Sequence, residues 1–163
     1  MMDEVDELVA AWQRERPDLV LEPMQVWSRI ARLAQLLSSA RAAAFAAQEL
    51  HIWEFDVLAA LRRAGEPYRL APGQLIAQTH VTSGTMTNRV DRLCVRGFVE
   101  RMANPQDGRG VLVQLTPQGR QKVDEALADL VAAEAELVSA LEPAEQVELA
   151  GALRRLLLAT PQC

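Results

Sequence analysis

The 163-residue sequence predicts a mainly α-helical protein with one small β-hairpin. Three observations lead there. Half of the residues are hydrophobic and only 4% aromatic, with Leu and Ala dominant, a composition that suits packed helices. Apolar residues recur at helical spacing through the first and last thirds of the chain. Between them, residues 98–115 read as two short strands around Asn104-Pro105-Gln106-Asp107-Gly108, which has the composition of a turn. A single compact domain with a real core is expected at this length. Its parts are N-terminal helices over residues 1–50, a central region over 51–120, and C-terminal helices over 121–163.

At the front, Val5, Leu8, Val9 and Trp12 form one apolar stripe, and Val26, Ile30, Leu33 and Leu37 another. An Ala-rich patch from Ala42 to Ala47 suits close helix packing. In APGQLIAQTH, Pro72 opens a short helix, because its missing N–H would have no partner in a first turn. A turn of a few residues leads into TSGTMTNRVDRLCVRG, with Thr82 or Ser83 as the N-cap oxygen. Met86, Val90, Leu93 and Cys94 make one apolar face of that second helix; Gly84, Thr85, Asn88 and Arg92 make the opposite one. A core on one side and small, hydrogen-bonding or cationic groups on the other is a shape that fits a major groove.

The hairpin follows at once: Phe98 to Met102 out, Val111 to Leu115 back, with Arg109 at or beside the tip. A cation there can reach a phosphate or a minor groove. Helix, turn, helix and hairpin together make a winged helix-turn-helix. Thr116 and Pro117 then start a new helix as N-cap and first residue. Val123, Leu127, Leu130, Val131, Leu137, Val138 and Leu141 form a stripe over residues 121–141, broken at Glu142-Pro143. The last helix carries Val147, Leu149, Leu153, Leu156, Leu157 and Leu158. This is more apolar helix surface than one winged domain can cover. A homodimer paired through its terminal helices is expected, setting two recognition helices on one face of a pseudo-palindromic duplex site.

Charge is placed to match. The chain carries a net −5, yet residues 82–122 hold seven cations and three carboxylates, a local +4. A positive patch on an acidic protein suits counterion release from DNA better than unspecific adhesion. Ser83, Thr85, Thr87, Asn88 and Arg92 are the expected DNA-facing set on the helix, and Arg109 the expected wing contact.

Other functions find little support. His51 and His80 are isolated, no Cys/His spacing fits a metal, and no glycine-rich loop fits a nucleotide, so neither an enzyme nor a metal cofactor is expected. Two cysteines, Cys94 and Cys163, make no disulfide framework. Cys94 opens the alternative of a thiol-oxidation sensor, against which stand its place on the apolar face and the lack of a nearby resolving cysteine. An interaction module that no longer binds DNA is the other alternative. The acidic start MMDEVDELV has no signal pattern and no run approaches a membrane span, so a cytoplasmic protein with no membrane partner is expected.

The layout, with SGTMTNRVDRLCVRGFVER and a wing ending VQLTPQGR, resembles the MarR family of transcription regulators from about Met24 to Leu158. AAWQRERPDLVLEPM and WEFDVLAALRRAGEPYRLAP are similar to its PecS/HucR-like, urate-responsive subgroup, whose members carry an extra N-terminal helix. The resemblance implies a repressor released from DNA by a small anionic effector such as urate. It implies a ligand set of Trp12, Asp56, Arg89 and Arg101. Two positions depart from the pattern. The wing reads Asp107-Gly108-Arg109-Gly110 where the family has two adjacent arginines, and Val20 stands where the subgroup tends to be acidic. One part of the ligand set has separate support. At about 100° per residue, Arg89 falls about 85° from the centre of the apolar face, on the margin of the core, where a cation wants a carboxylate or an anionic ligand.

Overall fold

The computed structural model describes residues 2–105 and 107–160, with the backbone alone at 107–109. The chain divides into two compact units, residues 1–41 and 42–163.

The first unit is a helical hairpin of α1 (Glu4–Glu15) and the longer part of α2 (Glu22–Ala47). Asp3 caps α1: its carboxylate accepts from the backbone N–H of Val5 and Asp6, and Asp6 accepts in return from the Asp3 N–H. Val5, Val9 and Leu21 are buried together, with Met24 packed against them. Leu8 and Trp12, expected on the same stripe, are instead 40% and 47% exposed. Charges supplement this small core. Arg29 donates to Asp3 at 2.8 Å and to Asp6 at 2.7 Å, and Arg32 lies 3.1 Å from Glu4. The Arg29 guanidinium, with backbone N–H donors, holds the Asp3 carboxyl below the usual carboxylate range.

The second unit contains α3 (Ile52–Arg63), β1 (Arg69–Leu70), α4 (Pro72–Thr79), α5 (Ser83–Val95), β2 (Val99–Asn104), β3 (Asp107–Leu115), α6 (Pro117–Val138) and α7 (Pro143–Ala159). The strands form an antiparallel sheet in the order β1-β3-β2, with Arg69 opposite Gln114 and Val99 opposite Leu115. Helix α3 is its pillar, with every residue from Glu54 to Leu61 except Asp56 buried. Phe45 stacks on Phe55 with centroids 4.2 Å apart, and Leu58, Leu61, Leu75, Met86, Leu93, Val113 and Val123 fill the centre. Burying aliphatic and aromatic groups of this size is what fixes α4 and α5 against α3.

The fold is therefore mainly α with a small β wing, as the composition and spacing predict. Pro72 is the first residue of α4, Thr82 caps α5 by accepting from the Thr85 N–H, and Thr116 caps α6 by accepting from the Gly119 N–H. Three details differ. Strand β1 is a third strand that two residues without a periodic signal could not announce. Strand β3 begins at Asp107, four residues before the apolar run, with a register shift at Ala103/Asn104. Helix α6 ends at Val138 because Ser139 and Leu141 turn back to the carbonyls of Glu136 and Val138.

Gly119 explains how α6 begins so close to the sheet. A methyl group there would run into the Phe98 carbonyl, so only glycine permits this approach. At the other end, α7 has no buried residue, and Leu127 and Val131 of α6 are also exposed. Among the described residues, no helix is long and apolar enough to cross a membrane.

Candidate nucleic-acid interface

Helix α4, the turn and helix α5 are held by short-range chemistry. His80 ends α4 in the left-handed conformation, φ 52°, which reverses the chain between the helices. The Thr82 hydroxyl lies 2.9 Å from that of Thr85, and the Thr87 hydroxyl donates to the Ser83 carbonyl at 3.0 Å. Met86, Val90 and Leu93 point into the core, with 2% or less of each exposed. Ser83, Thr85, Thr87, Asn88 and Arg92 are all exposed, on the side away from the core. Arg89 is half-buried, on the margin between the two faces.

The cations around α5 are not equivalent. Arg96 Nη1 donates to both carboxylate oxygens of Glu54 at 2.7 Å, and its Nη2 donates to the Glu49 carbonyl at 2.9 Å. Its guanidinium also lies 4.7 Å from the Phe98 ring centroid. Glu54, only 2% exposed, accepts in addition from the His51 N–H at 2.9 Å and so caps α3. It is the one buried charged side chain among the described residues, and it is fully engaged. Arg101 on β2 is paired with Asp91 on α5. Arg89 and Arg92 do something else: their guanidinium carbons lie 5.6 and 5.2 Å from the centroid of the Trp53 indole.

Two concavities flank this cluster. One, of about 450 Å³, is lined by Trp53, Gly84, Thr85, Asn88, Arg89 and Arg92 on the exposed side of α5. The other, of about 500 Å³, is lined by Ala42, Ala46, Leu50, His51, Ile52, Trp53, Asp56 and Arg89. It is an apolar crevice with one guanidinium and one carboxylate in its wall, suited to a small ring that carries a negative charge.

Of the expected ligand set, the structure brings Asp56 and Arg89 into this one crevice. Arg101 is not in its lining and faces Asp91. Trp12 stands on α1 in the first unit. The expected wing contact, the Arg109 side chain, lies outside the described residues, as does Cys163. Cys94 is half-buried against the core. Among the described residues, no group of three His, Cys, Asp or Glu side chains could hold a metal ion. Trp53 and the Glu54–Arg96 pair escaped the sequence reading. The spacing of His51 and Glu54 is that of a helix cap and was a usable signal for Glu54. Nothing local announced its partner 42 residues away.

A core-backed recognition helix, a preceding short helix and a three-stranded wing define a winged helix-turn-helix regulator. The comparisons agree. The MarR family model matches residues 49–110. The transcriptional regulator PecS of Dickeya dadantii is 35% identical over 153 residues, covering 94% of this chain and 92% of PecS. A MarR variant from Escherichia coli, solved in complex with operator DNA, superposes with a TM-score of 0.69 at 28% identity, covering 85% of this chain and 98% of that one. BpsR of Bordetella bronchiseptica, whose structure concerns regulation of its DNA binding by 6-hydroxynicotinic acid, gives a TM-score of 0.68 at 27% identity, covering 87% and 98%. The chain belongs to the MarR family, and it is a DNA-binding transcriptional regulator, not an enzyme.

Proposed function

We propose that this regulator is a homodimeric repressor, released from a pseudo-palindromic operator when a small anion enters the crevice shared by Asp56 and Arg89. That shared crevice is the observation that carries the reading. Arg89 belongs to the same helix as Asn88 and Arg92, so a ligand that moves Arg89 acts directly on the DNA-facing side chains. Ser83, Thr85, Thr87, Asn88 and Arg92 would contact bases and phosphates, with Arg109 at the wing. Arg101, after leaving Asp91, would close on the ligand from another side. The dimer would cover the exposed Leu153, Leu156, Leu157 and Leu158 of α7.

An anion drawn to Arg89 comes to rest near the Asp56 carboxylate. Repulsion between two negative groups favours a wider crevice and a tilted α5. Only a ligand that binds the tilted state more tightly shifts the population. Urate is the first candidate, by likeness to the PecS/HucR-like subgroup. 6-Hydroxynicotinic acid, which regulates DNA binding by BpsR, is also a planar heterocyclic acid and supports the class.

The test is a mobility-shift titration on the intergenic DNA beside the regulator's own gene, with urate and 6-hydroxynicotinic acid added separately. Arg89→Ala abolishes the response to the active anion. Asp56→Asn still binds that anion but transmits little of its effect to DNA. Full response in an Arg89→Ala, Asp56→Ala double variant that still binds operator would overturn the crevice as the effector site.

A further inference from the structure

The reading above gives Trp53 no role, yet its indole lines both concavities and meets two arginines of α5. The way these arginines are held is unlike the way their neighbours are held. Arg96 and Arg101 are fixed by carboxylates, Glu54 and Asp91. Among the described residues, no carboxylate forms an ion pair with Arg92 or Arg89; what orders them is the ring. The chemical difference is large. A carboxylate that orients a guanidinium also cancels its field and occupies its N–H donors. An aromatic face attracts the same cation through its quadrupole and leaves its charge and in-plane donors open to a third party. A DNA-reading arginine needs this second kind of support, because a bidentate contact to a base edge or a phosphate uses those donors.

We propose that Trp53 is a positioning residue for DNA recognition: its indole pre-orders Arg92, and with it Arg89, for the groove without neutralising either. The inference rests on the reading of α5 as the groove-facing helix. Because the same ring walls the Asp56–Arg89 crevice, it also stands where an effector would disturb that order.

The experiment is a double-mutant cycle on operator affinity, using the full chain and the intergenic duplex beside its own gene. Trp53→Leu keeps apolar bulk and removes the ring; its affinity falls by about 3- to 10-fold, the size expected for losing one or two cation–π contacts at a partly exposed site. Trp53→Phe, which keeps an aromatic face, recovers part of that loss. In an Arg89→Ala, Arg92→Ala background, Trp53→Leu costs about 2-fold or less, because the groups it orders are gone. A merely structural role for Trp53 predicts the opposite, an equal loss in both backgrounds that follows thermal stability, and this result overturns the inference. So does wild-type affinity in Trp53→Leu. If the unmodified chain fails to bind the duplex at low salt, the DNA reading itself fails and takes this inference with it.

Discussion

In the first unit three buried aliphatic side chains, Val5, Val9 and Leu21, share the work with a web of surface charge around Asp3, Asp6 and Arg29. In the second, a continuous core from Phe45 to Leu130 surrounds Glu54, the single buried carboxylate among the described residues, held by Arg96. Exposed ion pairs contribute little each and are screened by salt, whereas close-packed apolar burial is not weakened by charge screening. The winged unit is therefore the rigid part, on which α5 can present side chains in fixed directions. The α1–α2 hairpin should answer to solution conditions first.

The largest effect that tests this contrast lies in the rigid unit. Arg96→Met strands the Glu54 carboxylate in the core and should cost about 2–3 kcal/mol in urea unfolding, since an uncompensated buried charge is heavily penalised. Adding Glu54→Gln to that variant should return part of the loss. If Arg96→Met is neutral, the core does not depend on its one ionic link, and the contrast weakens.

An intermediate effect concerns assembly more than stability. No residue of helix α7 is buried within its own chain, so a Leu153→Glu, Leu156→Glu variant should keep its helical circular dichroism. By sedimentation the proposed dimer should halve in mass, and operator binding should be lost. An unchanged mass would mean that the proposed dimer closes through other helices or does not form.

The smallest effect lies in the hairpin. The folded Asp3 carboxyl is held below its ordinary value, chiefly by its hydrogen bond to Arg29. Its stabilising contribution is therefore complete above the unfolded pKa, about 3.9, and disappears as pH falls through the lower folded value. Asp3→Asn should flatten this acid limb. Amide exchange in α1 measures it, and an unchanged limb would mean that another carboxylate sets the acid sensitivity of the hairpin. The same exchange should speed up at high salt, while that of α3 should not.

Much of the site was legible because it is local. The faces of α5 follow from the spacing of Met86, Val90 and Leu93, and the three caps follow from Pro72, Thr82 and Thr116-Pro117, since helix period and capping act over four residues or fewer. The marginal position of Arg89 came from the same geometry and agrees with its half-burial. Charge counting was less faithful. The local +4 is a true sum, but it could not say that Arg96 and Arg101 are engaged inside the protein while Arg89 and Arg92 rest on an indole.

Those distinctions join residues tens of positions apart: Glu54 with Arg96, Trp53 with Arg92, Phe98 with Gly119, Arg69 with Gln114. From sequence by itself came the helices, the wing, the family and which side of α5 faces outward, because each is written in a short window of residue types. Which cation is neutralised and which stays available was decided by packing. Only the way α3 lies beneath α5 brings a carboxylate to one arginine and an aromatic ring to the next, and neither residue's neighbours in the chain encode that meeting.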